Sequence, residues 1–416
     1  MDQRSTTGAP ADATTVDGAT TEFEPDVMDL LVEALRAAVE RESPVVGTDT
    51  VLAALVMGDT DAGAATAPGI RASGGLSGLI SGRAGRGWAN DDEGGVAPAA
   101  TEADALEVDT AWREARWRLG LGSRGSAPRS DRARPGMTGA LRTCLLLAIA
   151  SARAEGTISV RCRHVARALV DLPGGRAREA LLLRGLDPAA AATALDALNT
   201  GASARSESPE SRGVTLLRRA GTLGRSGNRL SRAITSWTSG VAQNGSPVLF
   251  AVSVEAVRQA VRRGHTEAEP VDLLLGVLAL DRALTVAGRA LPESLATANA
   301  AGTLLRLHGV RQASLTHAAI ASAPVSGAAD ITDVTRVRLS AAADRAMAVA
   351  RLTAAEHRSP TAGTVHLLAA LLGGPTAEAE AGPETEGAVA VVRLLRASGQ
   401  VDTAGLLAEL RLRLAG

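Results

Sequence analysis

An all-α protein built from repeated helical units is what this sequence predicts. Two observations carry that expectation. The apolar share of 45% is drawn mostly from Ala, Leu and Val, with four Trp, two Phe and no Tyr, a composition that favours helices over aromatic-rich strands. The second is internal likeness. "SPVVGTDTVLAALV" at 43–56 and "SPTAGTVHLLAALL" at 359–372 align without a gap, and self-similarity in one chain is the mark of a repeat architecture. At 416 residues the chain also exceeds one small core, so two domains are expected.

The first copy opens with "DVMDLLVEALRAAVER", where Leu31, Ala34, Leu35 and Ala38 recur at helical spacing. The turn "ESPVVGT" follows, then a helix "DTVLAALV". Thr48 is the expected N-cap, with Asp49 suited to the positive helix end. In the second copy Leu145, Ala148, Ile149 and Ala152 repeat the stripe, and Val165, Ala168 and Leu169 fill the second helix. The third has Ala256, Val257 and Ala260, then Leu273, Leu274, Val277 and Leu278. The fourth has Met347, Ala350 and Ala354 ahead of "TVHLLAALL". Each copy ends in an apolar tail with a glycine, Gly74, Gly185, Gly309 or Gly399, where a left-handed C-cap is expected. Asp187 and Asp402 are placed to cap the helices that follow.

This pattern resembles the Clp N-terminal repeat domain: an Ala-rich helix, a turn, a Gly-Thr-Glu-His-Leu-Leu-like helix start, a Leu-rich helix and a Gly-containing tail. The resemblance implies that two repeats form one pseudo-twofold domain, so four repeats form two domains in tandem. It gives a tail at 1–22 expected to be disordered and a first domain at 23–200, with repeats 23–82 and 137–200 and a Gly-rich insertion at 83–136. A basic linker covers 201–245. The second domain covers 246–416, with repeats 246–320 and 332–416. Within the insertion, "TEADALEVDTAWREARWRLG" predicts one helix with Leu106, Trp112, Ala115 and Leu119 near one face. Its Trp112 and Trp117 either pack on the domain or anchor a partner.

In the family, the Thr and acid of the helix start contribute to a pocket that in some members binds phosphoarginine-marked or other client proteins. The positions matching it here are Thr48 and Asp49 in the first copy and Thr364 and His366 in the fourth, where Val365 replaces the acid. The second copy has Cys162, Arg163 and His164, and the third Pro270, Val271 and Asp272. The same residues can instead serve only as helix caps. What the resemblance implies for function is a non-catalytic adaptor, decoy or client-binding protein acting beside a Clp-type unfoldase or its substrates.

The rest of the chemistry reads as absences. All 44 basic residues are Arg, so the lysine of a P-loop, which contacts the β- and γ-phosphates, is missing. The six histidines are scattered without His-Glu-x-x-His spacing. Cys144 and Cys162 stand apart, which argues against a disulfide framework or a zinc site and for buried thiols in a reducing compartment. No cofactor, metal or catalytic site is expected. With no apolar N-terminal core and no run of about 18 apolar residues, a cytoplasmic protein is expected. Net charge is −1, so nucleic-acid binding has no support from the whole chain. One segment offers an alternative. The stretch 211–240 carries Arg218, Arg219, Arg225, Arg229 and Arg232 with Leu216, Leu217, Ile234 and Trp237, the makeup of a basic amphipathic segment able to touch nucleic acid or an anionic membrane.

Overall fold

The computed structural model describes residues 19–70, 100–122, 135–200, 209–223, 246–321, 337–373, 385–399 and 401–415. Among these residues there are 18 α-helices and six two-residue strands, so the all-α expectation holds. Residues 1–18 of the expected tail and Gly74 lie outside the described residues. Glu22 belongs to the fold rather than to a tail, since it sits in a strand and is buried.

The first copy consists of β1 (Glu22–Phe23), α1 (Pro25–Glu40), β2 (Val45–Val46), α2 (Thr48–Met57) and α3 (Asp61–Thr66). The long helix α4 (Glu102–Gly122) follows in the insertion. The second copy comprises β3 (Gly136–Met137), α5 (Gly139–Ala154), β4 (Ser159–Val160), α6 (Cys162–Asp171), α7 (Arg176–Leu183) and α8 (Pro188–Thr200). Helix α9 (Arg212–Arg219) leads to the third copy, α10 (Pro247–Arg263), β5 (Glu267–Ala268), α11 (Pro270–Val286), α12 (Glu293–Ala296), α13 (Ala301–Leu307) and α14 (Gln312–Ala321). The fourth holds β6 (Arg338–Leu339), α15 (Ala341–Glu356), α16 (Thr364–Leu371), α17 (Thr385–Ala397) and α18 (Thr403–Ala415).

One backbone feature repeats in all four copies. Five residues ahead of the cap of each second helix stands a residue with positive φ: Glu42 at 57°, Gly156 at 74°, Gly264 at 84° and Arg358 at 51°. Each reverses the chain out of the first helix in the left-handed conformation, which costs a non-glycine residue strain. The tail glycines Gly185, Gly309 and Gly399 also have positive φ, as expected of C-caps. Asp187 accepts from the Ala189 N–H at 2.9 Å, and Asp402 from the Gly405 N–H at 2.8 Å.

The copies are tied in pairs. Strand β1, entering the first copy, pairs parallel with β4 in the turn of the second. Strand β3, entering the second, pairs parallel with β2 in the turn of the first. The exchange is reciprocal, as a twofold relation requires. In the other half, β6 at the start of the fourth copy pairs with β5 in the turn of the third. Two separate apolar clusters result. One runs from Phe23 to Leu195 and includes Leu31, Leu52, Leu145, Ile149, Leu169 and Leu181. The other runs from Val214 to Leu410.

The two connecting segments join these cores. On α4, Val108, Ala111, Trp112 and Ala115 enter the first cluster, so Trp112 packs on its own half. Leu119 packs partly buried against the same cluster. Helix α9 gives Val214 and Leu217 to the second cluster, which makes this part of the expected linker a core element. Gly276 lets α11 cross α10 closely, since a Cβ there would stand 2.8 Å from the Val252 carbonyl oxygen.

Candidate functional site

The helix-start residues matched to the family pocket are built into the packing. Gly47, not Thr48, takes the cap position of α2, and Thr48 is the first helical residue. The expectation of a Thr48 cap is corrected on that geometry: the extended backbone falls at Gly47, with φ of −102° and ψ of 175°. Thr48 is fully buried, and its hydroxyl accepts from the Ala177 N–H at 3.2 Å, at the start of α7 in the paired copy. Thr364 does the same across the other pair, accepting from the Ala301 N–H of α13 at 3.4 Å. Each threonine thus satisfies a donor at a helix start of the partner copy, one of the orphan N–H groups every helix start presents. The equivalent Cys162 and Pro270 carry no hydroxyl.

His366 is buried, and its Nδ1 accepts from the Gly363 N–H at 3.1 Å. Its counterparts repeat the bond. His164 Nδ1 accepts from the Arg161 N–H at 2.8 Å, and Asp272 Oδ2 from the Glu269 N–H at 2.9 Å. In three copies the third helical residue closes the helix start from within, half of a capping box. Burial lowers the pKa of both histidines, which keeps them neutral acceptors. Asp49 is half-buried in the first turn of α2.

A polar cleft of about 250 Å³ opens beside His164. Because Nδ1 accepts a backbone hydrogen bond, the ring proton sits on Nε2, which donates to Glu155 at 2.9 Å. The imidazole therefore offers no lone pair to a substrate proton. Arg163 pairs with Glu155 at 2.6 Å, while Arg167 pairs with Asp171 at 2.7 Å and with Asp196. Both guanidiniums that line the cleft are paired, and its three carboxylates leave it one net negative charge. Among the described residues no group of His, Cys, Asp or Glu is arranged to hold a metal ion. Cys144 and Cys162 are free, buried thiols.

Among the described residues, a dense layer of buried charge lies between the two halves. From the first half come Glu22 of β1, Glu24, and Glu107 and Glu114 of α4, all buried. From the second come Arg258 and Arg262 of α10 and Arg282 of α11. Arg258 reaches Glu114 at 3.0 Å and Glu22 at 2.8 Å. Arg262 reaches Glu114 at 3.1 Å, Thr110 at 2.9 Å and Glu107. Arg282 reaches Glu24 at 2.8 Å and donates to the Thr20 and Ile158 carbonyls, each at 2.8 Å. Gln312 of α14 adds a bond to Glu22 at 3.1 Å. Burial pushes the Glu114 carboxyl up, but the Arg258, Arg118 and Arg262 guanidiniums outweigh it and hold the pKa at about 2. Glu22 is likewise held below its ordinary value by Arg258, Arg282 and Arg262 against burial. Burial wins at Glu107, which is pushed up to about 7.

Sequence reasoning missed this layer, although a signal was present. Arg258 and Arg262 stand one turn apart on α10, and Glu107 and Glu114 stand two turns apart on α4. Of the basic linker, Arg218 pairs with Glu210 at 2.7 Å and Arg219 closes α9. Arg225, Arg229, Arg232 and Trp237 lie outside the described residues. No described helix is long and apolar enough to cross a membrane. No family model matches the chain, and neither does any curated protein or any solved structure.

Proposed function

We propose that the chain is a non-catalytic protein-binding protein made of two tandem domains of the Clp N-terminal repeat kind. On this reading it acts as an adaptor, decoy or client-recognition module beside a Clp-type unfoldase or its substrates, in the cytoplasm. The reciprocal strand exchange and the fourfold turn geometry support the pairing of repeats. The observation that carries the binding role is where large apolar side chains stand outside. Leu183 and Leu307, two residues ahead of the tail glycines Gly185 and Gly309, occupy the same repeat position and are exposed, Leu307 by 70%. Leu182 beside the first is also exposed. Single exposed leucines are ordinary on any surface, but the same position exposed in two copies of one unit is a pattern that protein surfaces use for contact.

The test is capture from the cytosol of a bacterium with a GC-rich genome, with the intact protein and with the double variant Leu183→Ser and Leu307→Ser. Retention of Clp subunits or unfolded clients by the intact protein, reduced in the variant, supports the reading. Retention of nucleic acid or anionic lipid alone, lost steeply with added salt and lost again in an Arg225→Gln, Arg229→Gln, Arg232→Gln variant, overturns it in favour of a linker-driven scaffold.

A further inference from the structure

The first helix of every copy carries an equivalent outer strip, and the copies use it differently. Its positions stand nine, six and two residues ahead of the positive-φ residue of the turn, Glu42, Gly156, Gly264 or Arg358. In the first copy they are Glu33, Arg36 and Glu40, and Glu33 pairs with Arg36 in solvent. In the third they are Glu255, Arg258 and Arg262. There Glu255 and Arg262 are buried, and Arg258 and Arg262 both bond Glu114 of the first half. The strip is thus charged and solvated in one copy and an interface in another.

In the fourth copy the same positions are Val349, Leu352 and Glu356 of α15. Val349 is exposed, and Leu352 is 63% exposed. Arg345 continues the strip, since 345, 349, 352 and 356 recur at helical spacing. In the first half α4 lies over α5, with Asp109 and Asp104 paired to Arg142 and Arg153. No described helix lies over α15 in that way. Two aliphatic side chains therefore stand in water at the middle of the strip, and covering them is favourable. The flanking charges are unused as well: Arg345 and Glu356 are exposed, and neither has an ion-pair partner among the described residues.

We infer that this strip is where two copies of the chain meet, α15 against α15 in antiparallel sense. The spacing selects a second copy as the occupant. Arg345, Val349, Leu352 and Glu356 are separated by four, three and four residues, so the apolar pair is central and opposite charges stand equally far from it. A twofold axis passing between Ala350 and Arg351 sets Val349 of each chain against Leu352 of the other. It also sets Arg345 against Glu356 at both ends, as an isologous contact requires. A wholly acidic or wholly basic surface would match one end of the strip and oppose the other. Ala348, beside Val349, is small and lets the two helices approach closely. One helix pair buries less than the ~1,200 Å² of a standard interface, so the association is weak and depends on concentration. It uses neither Leu183 nor Leu307 and does not rest on the binding role proposed for them.

Sedimentation equilibrium of the full chain, from micromolar to submillimolar concentration at low salt, tests it. The expected result is a mass that climbs from that of one chain toward that of two. Leu352→Glu, at an exposed position, weakens the association on the order of tenfold or more. Arg345→Glu and Glu356→Arg each weaken it a few-fold, since each creates two like-charge contacts across the twofold. The two changes together restore it, because the antiparallel arrangement brings those positions face to face. A wild-type mass that stays at one chain overturns the proposal without any variant. Association that survives Leu352→Glu, or that is lost instead in the Leu183→Ser, Leu307→Ser protein, overturns it as well. So does a double charge exchange that associates no better than either single one.

Discussion

Glu114→Gln is the sharpest perturbation available in this molecule. Glu114 has no exposed surface and receives three guanidiniums, Arg118 at 2.6 Å, Arg258 at 3.0 Å and Arg262 at 3.1 Å. The amide keeps the size of the side chain and removes its charge, which leaves Arg262 buried with Glu107 alone. The pKa held at about 2 against 4.5 corresponds to a preference for the charged form of about 3 kcal/mol. That agrees with the 3–5 kcal/mol lost when one partner of a buried pair is removed, an order of magnitude set by desolvation. Glu114→Gln therefore lowers unfolding stability at pH 7 by about 3 kcal/mol in urea denaturation. The sign with pH is fixed as well. A depressed carboxyl contributes stability that is present above its ordinary 4.5 and lost as pH falls toward 2, so the gap between wild type and variant closes in acid. The control is Asp29→Asn, because Asp29 reaches Arg118 from an exposed position at 3.5 Å, and such pairs contribute less than about 1 kcal/mol. If Glu114→Gln costs no more than Asp29→Asn, the layer does not hold the fold and the reasoning fails.

Other expectations are open to the same assays. Glu42→Gly and Arg358→Gly each raise stability by about 0.5–1 kcal/mol, since both residues have positive φ. Gly156→Ala and Gly264→Ala lower it by about the same, and thermal melts resolve the opposite signs. Thr48→Val and Thr364→Val each lose about 1–2 kcal/mol by leaving the Ala177 and Ala301 N–H groups unsatisfied; serine at either position restores most of the loss. Gly363→Ala costs about 1–3 kcal/mol, because a Cβ would stand 2.1 Å from the Ala298 carbonyl oxygen. Denaturant midpoints measure each of these.

The helices were legible because burial imposes a period of 3.6 on apolar residues. Leu31, Ala34, Leu35 and Ala38 form the core face of α1, and Leu145, Ala148, Ile149 and Ala152 that of α5. The tail glycines were legible because glycine marks the left-handed conformation. The equivalent turn after each first helix was not, because two of its four positions hold Glu42 and Arg358, whose side chains announce no such geometry. Strands of two residues are too short for any alternation to show, so the reciprocal exchange had no trace in the pattern. On α4 the expected face was partly right. Trp112 and Ala115 are buried on the first core, joined there by Val108 and Ala111, while Leu106 is half-buried. The opposite face carries charged residues that no apolar period marks; Glu107 and Glu114 are buried by partners more than 140 residues away. Thr48, Thr364 and His366 are built into the helix starts and the packing between copies. Which copy's helix they serve depends on the pairing of copies, which spacing along the chain does not encode.

The central claim is that this is a binding protein, and capture of partners tests it most directly. The immobilised chain is challenged with cytosol at physiological salt, and retained proteins are identified with and without the Leu183→Ser, Leu307→Ser double variant. The account predicts Clp subunits or unfolded clients on the intact protein and a marked loss on the variant. Retention only of nucleic acid or anionic lipid, unaffected by the leucine changes and abolished by neutralising Arg225, Arg229 and Arg232, would contradict it.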